Sequence, residues 1–513
     1  MAEIKNVLLI VVDQWRGDTL SHLDHPCIRT PAIDALCRDG VTFRNHYTQC
    51  APCGPARASL LTGLYMMNHR VVQNGVPMDA RHRSVADEAR GAGYDPALVG
   101  YTTTSPDPRT TSPADPRYRF RGATMAGWNP IAPMDPARRP YYNWLRQRGV
   151  DVPANPENIW LPAEGHESAG GATRAPSRVP QPLSDTSWTT EHGLAYLRGV
   201  EKQHWFLHLG YFRPHPPFIA PAPYHAHYHP DEVPPPVRAA TREEEAAQHP
   251  LLDHYIRRVK QRRFFQDGTG LGSEMSEQEV RVMRAAYYGL ISEVDDAIGR
   301  VIAYLKDTGQ YDQTLIVFTS DHAEQLGNHY LLGKIGYFDD SFHIPLIVRD
   351  PSAKADGTRG QIVDRFTETV DIMPTILDWL GREPVRGCDG RSLLPFLQGE
   401  TPGDWRREVH YEFDFRPTYD AAESPPPFGL SIDQCSLAVI RDEKFKYVHF
   451  AALPPLFFDL EEDPGQFRNR ADDPGMAPLV RDYAQKMLSW RLHHAERTLT
   501  GYSATPRGLI SRR

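Results

Sequence analysis

Asn6-Val7-Leu8-Leu9-Ile10-Val11-Val12-Asp13 places six apolar residues in a row and stops them with an acid. A run without alternation suits a strand buried on both faces, which is the parallel kind. A second such run, residues 314–319, ends just before Asp321-His322. Residues 97–101, 205–212 and 344–348 read as further strands. Between them come helix signals. Thr30-Pro31 opens one, with Ile33, Leu36 and Cys37 on its apolar face and Gly40 at its end. Residues 55–62 read as a short helix stopped by Gly63, and residues 371–380 as another. Ser276 with Glu279 forms a capping box. The helix it opens carries Met283, Tyr287, Leu290, Val294, Ile298, Val301 and Leu305 at steps of three and four. Strands alternating with helices over the first 400 residues predict an α/β fold. It should have a large, mostly parallel sheet with helices on both faces. Ligands in such sheets gather beyond the carboxyl ends of the strands. Two apolar strands here end in possible metal ligands, Asp13 and Asp321-His322.

The remaining texture sets the domain organisation. Residues 105–185 are rich in Pro, Arg, Gly and Ser, and residues 221–275 are polar. Both read as excursions carrying little regular structure. From about residue 405 short strand-like runs appear (408–413, 436–440, 445–450), followed by a helix near 476–495. This predicts a catalytic α/β domain over 1–404 and a smaller α+β domain over 405–513. The polar, basic tail after Arg497 is expected to contact a neighbouring subunit.

The 513 residues are ample for a large core. A net charge of −8 argues against nucleic-acid binding, which rests on Lys and Arg neutralising phosphates. Six cysteines are too few for a disulfide scaffold. No stretch approaches a membrane span, and the start has no basic segment or cleavage site of a signal peptide. The expectation is a cytoplasmic enzyme with no membrane partner.

The chemistry concentrates in Cys50-Ala-Pro-Cys53-Gly-Pro55-Ala-Arg57-Ala-Ser-Leu-Leu61-Thr62-Gly63. Cys53 stands at the start of a helix, where free amides and the dipole favour an anion. Arg57, four residues on, is placed to point back toward it. This predicts a nucleophile held deprotonated. The spacing of Cys50 and Cys53 also allows a thiol redox pair.

Cys53-Gly-Pro55-Ala-Arg57 followed by Leu61-Thr62-Gly63 resembles the sulfatase signature, and the likeness extends over most of residues 1–400. It implies the alkaline-phosphatase-like fold and a formylglycine made from Cys53 by a formylglycine-generating enzyme. The hydrated aldehyde would be the nucleophile. Three departures from ordinary sulfatases stand out. Asp13-Gln14 replaces Asp-Asp after the first strand. Gly100-Tyr101-Thr102-Thr103 replaces the sulfate-binding Gly-Lys-Trp-His. Asp321-His322 replaces Asp-Asn. These departures look like the phosphonate monoester hydrolases, a phosphodiesterase-like branch of the superfamily.

The resemblance implies that Asp13, Gln14, Asp321 and His322, with the group at position 53, bind one divalent metal. Oxygen-rich donors with one imidazole suit Mn²⁺ or Ca²⁺. It also places Asn74, Tyr101, Thr103, His215 and Lys334 around the substrate, a small phosphorus or sulfur ester. His215 would protonate the leaving group and Lys334 would offset charge. An aryl or choline sulfatase is the alternative activity, and a homotetramer the implied assembly.

Overall fold

The computed structural model describes residues 5–119, 124–135, 137–166, 170–383, 385–417 and 425–511. Its largest sheet has eight strands: β1 (Asn6–Asp13), β2 (Val41–Phe43), β3 (Ala97–Gly100), β4 (Asn129–Pro133), β5 (Phe206–Pro214), β6 (Thr314–Ser320), β7 (Leu346–Arg349) and β8 (Gln361–Val363). Their spatial order is β8-β2-β7-β6-β1-β5-β3-β4. Every pairing is parallel except those made by β7, which is antiparallel to both its neighbours.

The apolar run of β1 explains its central place. Leu8, Ile10 and Val12 pack into one core, and Val7, Leu9 and Val11 into the other, all fully buried. Successive side chains of a strand point to opposite faces, so only a strand covered on both sides can be apolar throughout. The 31-residue helix Glu277–Asp307 covers one face, with Met283, Tyr287, Leu290 and Val294 buried. Its capping box forms: Ser276 Oγ accepts from the Glu279 amide, and Glu279 answers to the Ser276 amide. Helices Cys53–Thr62 and Ile372–Trp379 lie on the other face.

Two expectations are corrected. The 105–185 excursion carries β4 and a helix, Arg139–Gln147, whose Tyr141, Tyr142, Trp144 and Leu145 are buried. The 221–275 excursion carries two short helices, Arg242–Ala246 and Pro250–Ile256. Burial of one aromatic or aliphatic face stabilises these short elements although their flanks are polar.

A second sheet comprises Val409–Asp414, Ser436–Arg441, Phe445–Phe450 and Leu456–Asp459, covered by the helix Ala477–His493. Its edge strand comes from far away: Cys50–Ala51 pairs with Glu412 and Phe413. The C-terminal sheet therefore reaches the segment that leads into position 53. The tail beyond Arg497 forms a hairpin, Tyr502–Thr505 with Gly508–Ser511, and residues 512–513 lie outside the described residues. Among the described residues no helix is long and apolar enough to cross a membrane.

Candidate active site

Four adjacent parallel strands deliver the site from their carboxyl ends. β1 ends in Asp13. β6 pairs beside it with Val12 opposite Ser320, so Asp321 and His322 emerge next to Asp13. β5 ends at Pro214 opposite Asp13, and His215 follows. β3 ends at Gly100, and Tyr101 follows. Gly100 has φ 114°, and a Cβ there would sit 2.5 Å from the Gly210 carbonyl, so the close strand exit requires glycine. Gln14 holds φ 74°, uncommon for a residue with a side chain. Its backbone is pinned there: its amide donates to Asp321 Oδ1 at 3.2 Å, and its carbonyl accepts from Tyr287 Oη at 2.8 Å.

The helix that begins at Cys53 has no side-chain cap, since Pro52 precedes it. Gly54 instead donates its amide to Asn74 Oδ1 at 2.7 Å. A methyl on Gly54 would stand 2.9 Å from Asn74 Oδ1 and 3.1 Å from the Thr103 carbonyl, so both residues crowd the helix start. Thr103 adopts φ 58°, and its buried hydroxyl has no hydrogen-bond partner among the described residues. A β-branched residue in that conformation stores strain, which clusters at functional sites.

Around position 53 the contacts are close. Cys53 Sγ lies 3.2 Å from His322 Nε2, 3.4 Å from Lys334 Nζ and 3.8 Å from Asp13 Oδ1. One ligand atom each from Asp13, Cys53, Asp321 and His322 lies within 4.8 Å of the others. His322 donates Nδ1–H to the Ala323 carbonyl at 3.1 Å, which leaves Nε2 unprotonated toward the cluster, the form a metal takes. Burial, then Asp13 beside it, pushes Asp321 up to about 7. Burial alone would raise Asp13 too, but Lys334, His215, His322 and Arg57 hold it well below the usual carboxylate range. Two buried carboxylates facing each other across one imidazole fit a divalent cation between them.

Arg57 does not turn to the thiol as expected. Its guanidinium is engaged by Asp321 Oδ2 at 3.0 Å, the Tyr101 carbonyl at 3.0 Å and Asp13 Oδ2 at 3.6 Å. The expectation of a thiol held deprotonated also fails. Burial and Asp13 push the Cys53 thiol up, and they outweigh Lys334 and Arg57. Cys50 is pushed up by burial too, and it lies against Ser59 Oγ at 3.4 Å. Neither behaves as a redox thiolate, and both are free.

Tyr101 Oη donates to Asp13 Oδ2 at 2.6 Å, and its ring covers Arg57 at 4.2 Å. The hydroxyl is therefore spent on a candidate metal ligand. Lys334 Nζ donates to Gln14 Oε1 at 2.5 Å, and Gln14 Nε2 donates to Glu324. Glu324 is fully buried and also accepts from the Gly333 and Leu326 amides. It escaped the sequence reading, for nothing in its flanks sets it apart. His215 donates Nδ1–H to the Pro216 carbonyl at 2.8 Å. Burial, then Lys334, lowers its imidazole to about 3. His215, Lys334, Gln14 and Asn74 line the floor of a cavity of about 690 Å³; Tyr101 and Thr103 do not line it.

The Sulfatase family matches residues 5–382. The chain belongs to the sulfatase family. A second match, to the C-terminal region of N-sulphoglucosamine sulphohydrolase, spans residues 327–493. The multifunctional alkaline phosphatase superfamily protein PehA of Trinickia caryophylli is 57% identical, over 99% of this chain and 99% of its own length. The crystal structure of the phosphonate monoester hydrolase of Agrobacterium radiobacter is similar at TM-score 0.94 and 43% identity, covering 99% of this chain and all of that one. The phosphonate monoester hydrolase of Silicibacter pomeroyi is similar at TM-score 0.91 and 39% identity, with the same coverage. This sulfatase-family chain thus has the alkaline-phosphatase-like fold, as the strand pattern and signature implied.

Proposed function

We propose that this chain hydrolyses phosphonate monoesters and phosphate diesters, with position 53 as the nucleophile. One observation carries the reading. Position 53 stands inside a cluster of Asp13, Asp321, His322 and Lys334, while the segment Gly100-Tyr101-Thr102-Thr103 lacks the Lys and His that the resemblance ascribes to sulfate binding. In the overall reaction the bond from phosphorus to the leaving oxygen breaks, and water supplies a hydroxyl to phosphorus and a proton to the alcohol.

Asp13, Gln14, Asp321 and His322 would hold one Mn²⁺ or Ca²⁺, which supplies Lewis-acid polarisation of the ester's non-bridging oxygens. Formylglycine made from Cys53 would supply a hydrated aldehyde, with one hydroxyl as the nucleophile and a second for release of the product. The chain's own groups do the rest. Arg57 locks both carboxylates in place and adds positive charge. Lys334 offsets the ester's charge beside the attacked atom. Asn74 steadies the helix start through Gly54. His215 lines the cavity with its Nδ1–H committed to Pro216, so as a neutral imidazole it must first take up a proton at Nε2 before it can pass one to the leaving oxygen.

We further propose catalytic residues 1–404 with a C-terminal domain over 405–513, a cytoplasmic location, and a homotetramer. Exposed Leu488, Leu492, Leu499 and Leu509 near the C-terminus support the assembly. The test compares kcat/KM for four nitrophenyl esters with one leaving group: a phosphonate monoester, a phosphate diester, a phosphate monoester and a sulfate. The phosphonate monoester and the diester should lead. A sulfate leading by about tenfold, some 1.4 kcal/mol of transition-state preference, would reassign the enzyme as a sulfatase.

A further inference from the structure

The cavity above the site is larger than the reacting group needs. A volume of about 690 Å³ suits a whole drug-sized molecule, whereas a phosphonate group is a handful of atoms. Its outer wall is built by residues 257–264. This segment is fixed from two sides. Gly272 donates to the Val259 carbonyl at 2.8 Å and Gln261 to the Gly270 carbonyl at 3.1 Å, while Val259 and Phe264 are buried. Phe218, three residues past His215, donates its amide to the Phe264 carbonyl at 2.9 Å, and the two rings lie 6.0 Å apart. The wall is thus bonded to the strand exit that carries His215, the residue the proposed function sets toward the leaving oxygen.

The charge on this wall is one-sided. Arg257, Arg258, Lys260, Arg263 and Arg416 line the cavity, and no Asp or Glu does so among the described residues. Arg257 is neutralised by Asp253 at 2.5 Å and Arg416 by Asp414 at 2.8 Å. Arg258, Lys260 and Arg263 have no ion-pair partner among the described residues. This concentration runs against a chain whose net charge is −8. The reacting group does not need it: Lys334 and the cation that Asp13, Asp321 and His322 would hold answer that charge. Arg258, Lys260 and Arg263 are all exposed, so each alone contributes little, but three like charges lining one cavity reinforce one another. Phe264, Phe413 and Phe415 line the same cavity and add apolar surface to it.

We propose that the outer cavity is a leaving-group subsite, and that the preferred substrates carry a second anionic group, a carboxylate or phosphate, on the leaving alcohol or phenol. Arg258, Lys260 and Arg263 determine this specificity. The proposal rests on the hydrolase reading above and adds the class of substrate.

The test uses the full-length, metal-loaded, formylglycine-bearing enzyme and two phosphonate monoesters, one with a nitrophenol and one with a carboxylated nitrophenol leaving group. The companion variant is Arg258→Gln/Lys260→Gln/Arg263→Gln, which touches none of the site residues. The carboxylated ester should be favoured roughly tenfold or more in the wild type, allowing for its leaving-group pKa, and the preference should vanish in the variant while the neutral ester changes by less than about twofold. Equal losses for both esters would mean general steering of anions and would overturn the subsite. So would a wild type without preference. Ligand-observed NMR titration of the free carboxylated phenol separates the two readings. Binding to the wild type and not to the variant, without turnover of either ester, sinks the hydrolase reading and leaves the subsite standing. Equal binding to both sinks the subsite.

Discussion

Replacing Tyr101 by Phe separates two roles that the sequence left together. Its hydroxyl donates to Asp13 Oδ2 at 2.6 Å, a charge-assisted hydrogen bond to a buried carboxylate. Such bonds contribute about 1.5–3 kcal/mol. With the hydroxyl gone, the protein group left near Asp13 Oδ2 is Arg57 Nη2 at 3.6 Å, too far for a good hydrogen bond. If Tyr101 acts by orienting Asp13, the loss falls on metal affinity, by roughly 10- to 100-fold, the usual effect of removing an outer partner of a metal ligand. The ring stays over Arg57 and the Tyr101 carbonyl still accepts from it, so the fold should hold. The assay strips the enzyme with chelator, titrates metal back and follows both bound metal and turnover. Tyr101→Phe should need more metal to reach half activity, with KM at saturating metal close to wild type. An unchanged metal dissociation constant with a raised KM would refute the reasoning and return Tyr101 to direct substrate binding.

Three further outcomes follow from the same contacts. Cys50→Ala should keep most of its turnover, since the Cys50 thiol meets Ser59 and packs with Met66 and Val72 rather than with the site; loss of activity with the fold intact would revive a role for the Cys50–Cys53 pair. Glu324→Gln sets an amide N–H against either Gln14 Nε2 or the Gly333 and Leu326 amides, a mismatch of about 1–3 kcal/mol. Metal affinity should fall, and an unaltered metal titration would remove Glu324 from the supporting shell. Asp295, fully buried, accepts from the Ala32 and Ile33 amides at 3.1 and 2.7 Å, yet burial raises it to about 7. A carboxyl raised on folding loses stability as pH climbs from its ordinary 3.8 toward 7, by up to about 1.4 kcal/mol per unit. The stability of Asp295→Asn relative to wild type should therefore improve between pH 4 and 7, and a pH-independent difference in urea unfolding would contradict it.

The central strands and the candidate metal ligands were legible because full burial writes itself as unbroken apolar runs. An acid at the end of such a run, as at Asp13 and Asp321, stands out. The helix Glu277–Asp307 was legible from its period and capping box. What was hidden depends on long-range packing. Glu324 acquires its role through Gln14, 310 residues away. Cys50–Ala51 is a two-residue strand, too short to show a period, and only its partner Glu412–Phe413 reveals it. Helix Arg139–Gln147 has Tyr141, Tyr142 and Leu145 at helical spacing, but arginines and prolines around it mask the stripe. Arg57 and the Cys53 thiol were misjudged together. A helix N-terminus favours an anion, but burial of the thiol, then Asp13 beside it, outweighs that preference, while Asp321 and Asp13 claim the guanidinium.

The most direct test weighs the peptide of residues 45–57 after alkylation, in preparations made with and without a formylglycine-generating enzyme, and plots turnover against the fraction converted at position 53. The account predicts one alkylated thiol, at Cys50, in the active fraction, and activity proportional to conversion with a zero intercept. Full activity in a preparation whose position 53 is an unmodified, alkylatable cysteine would contradict it.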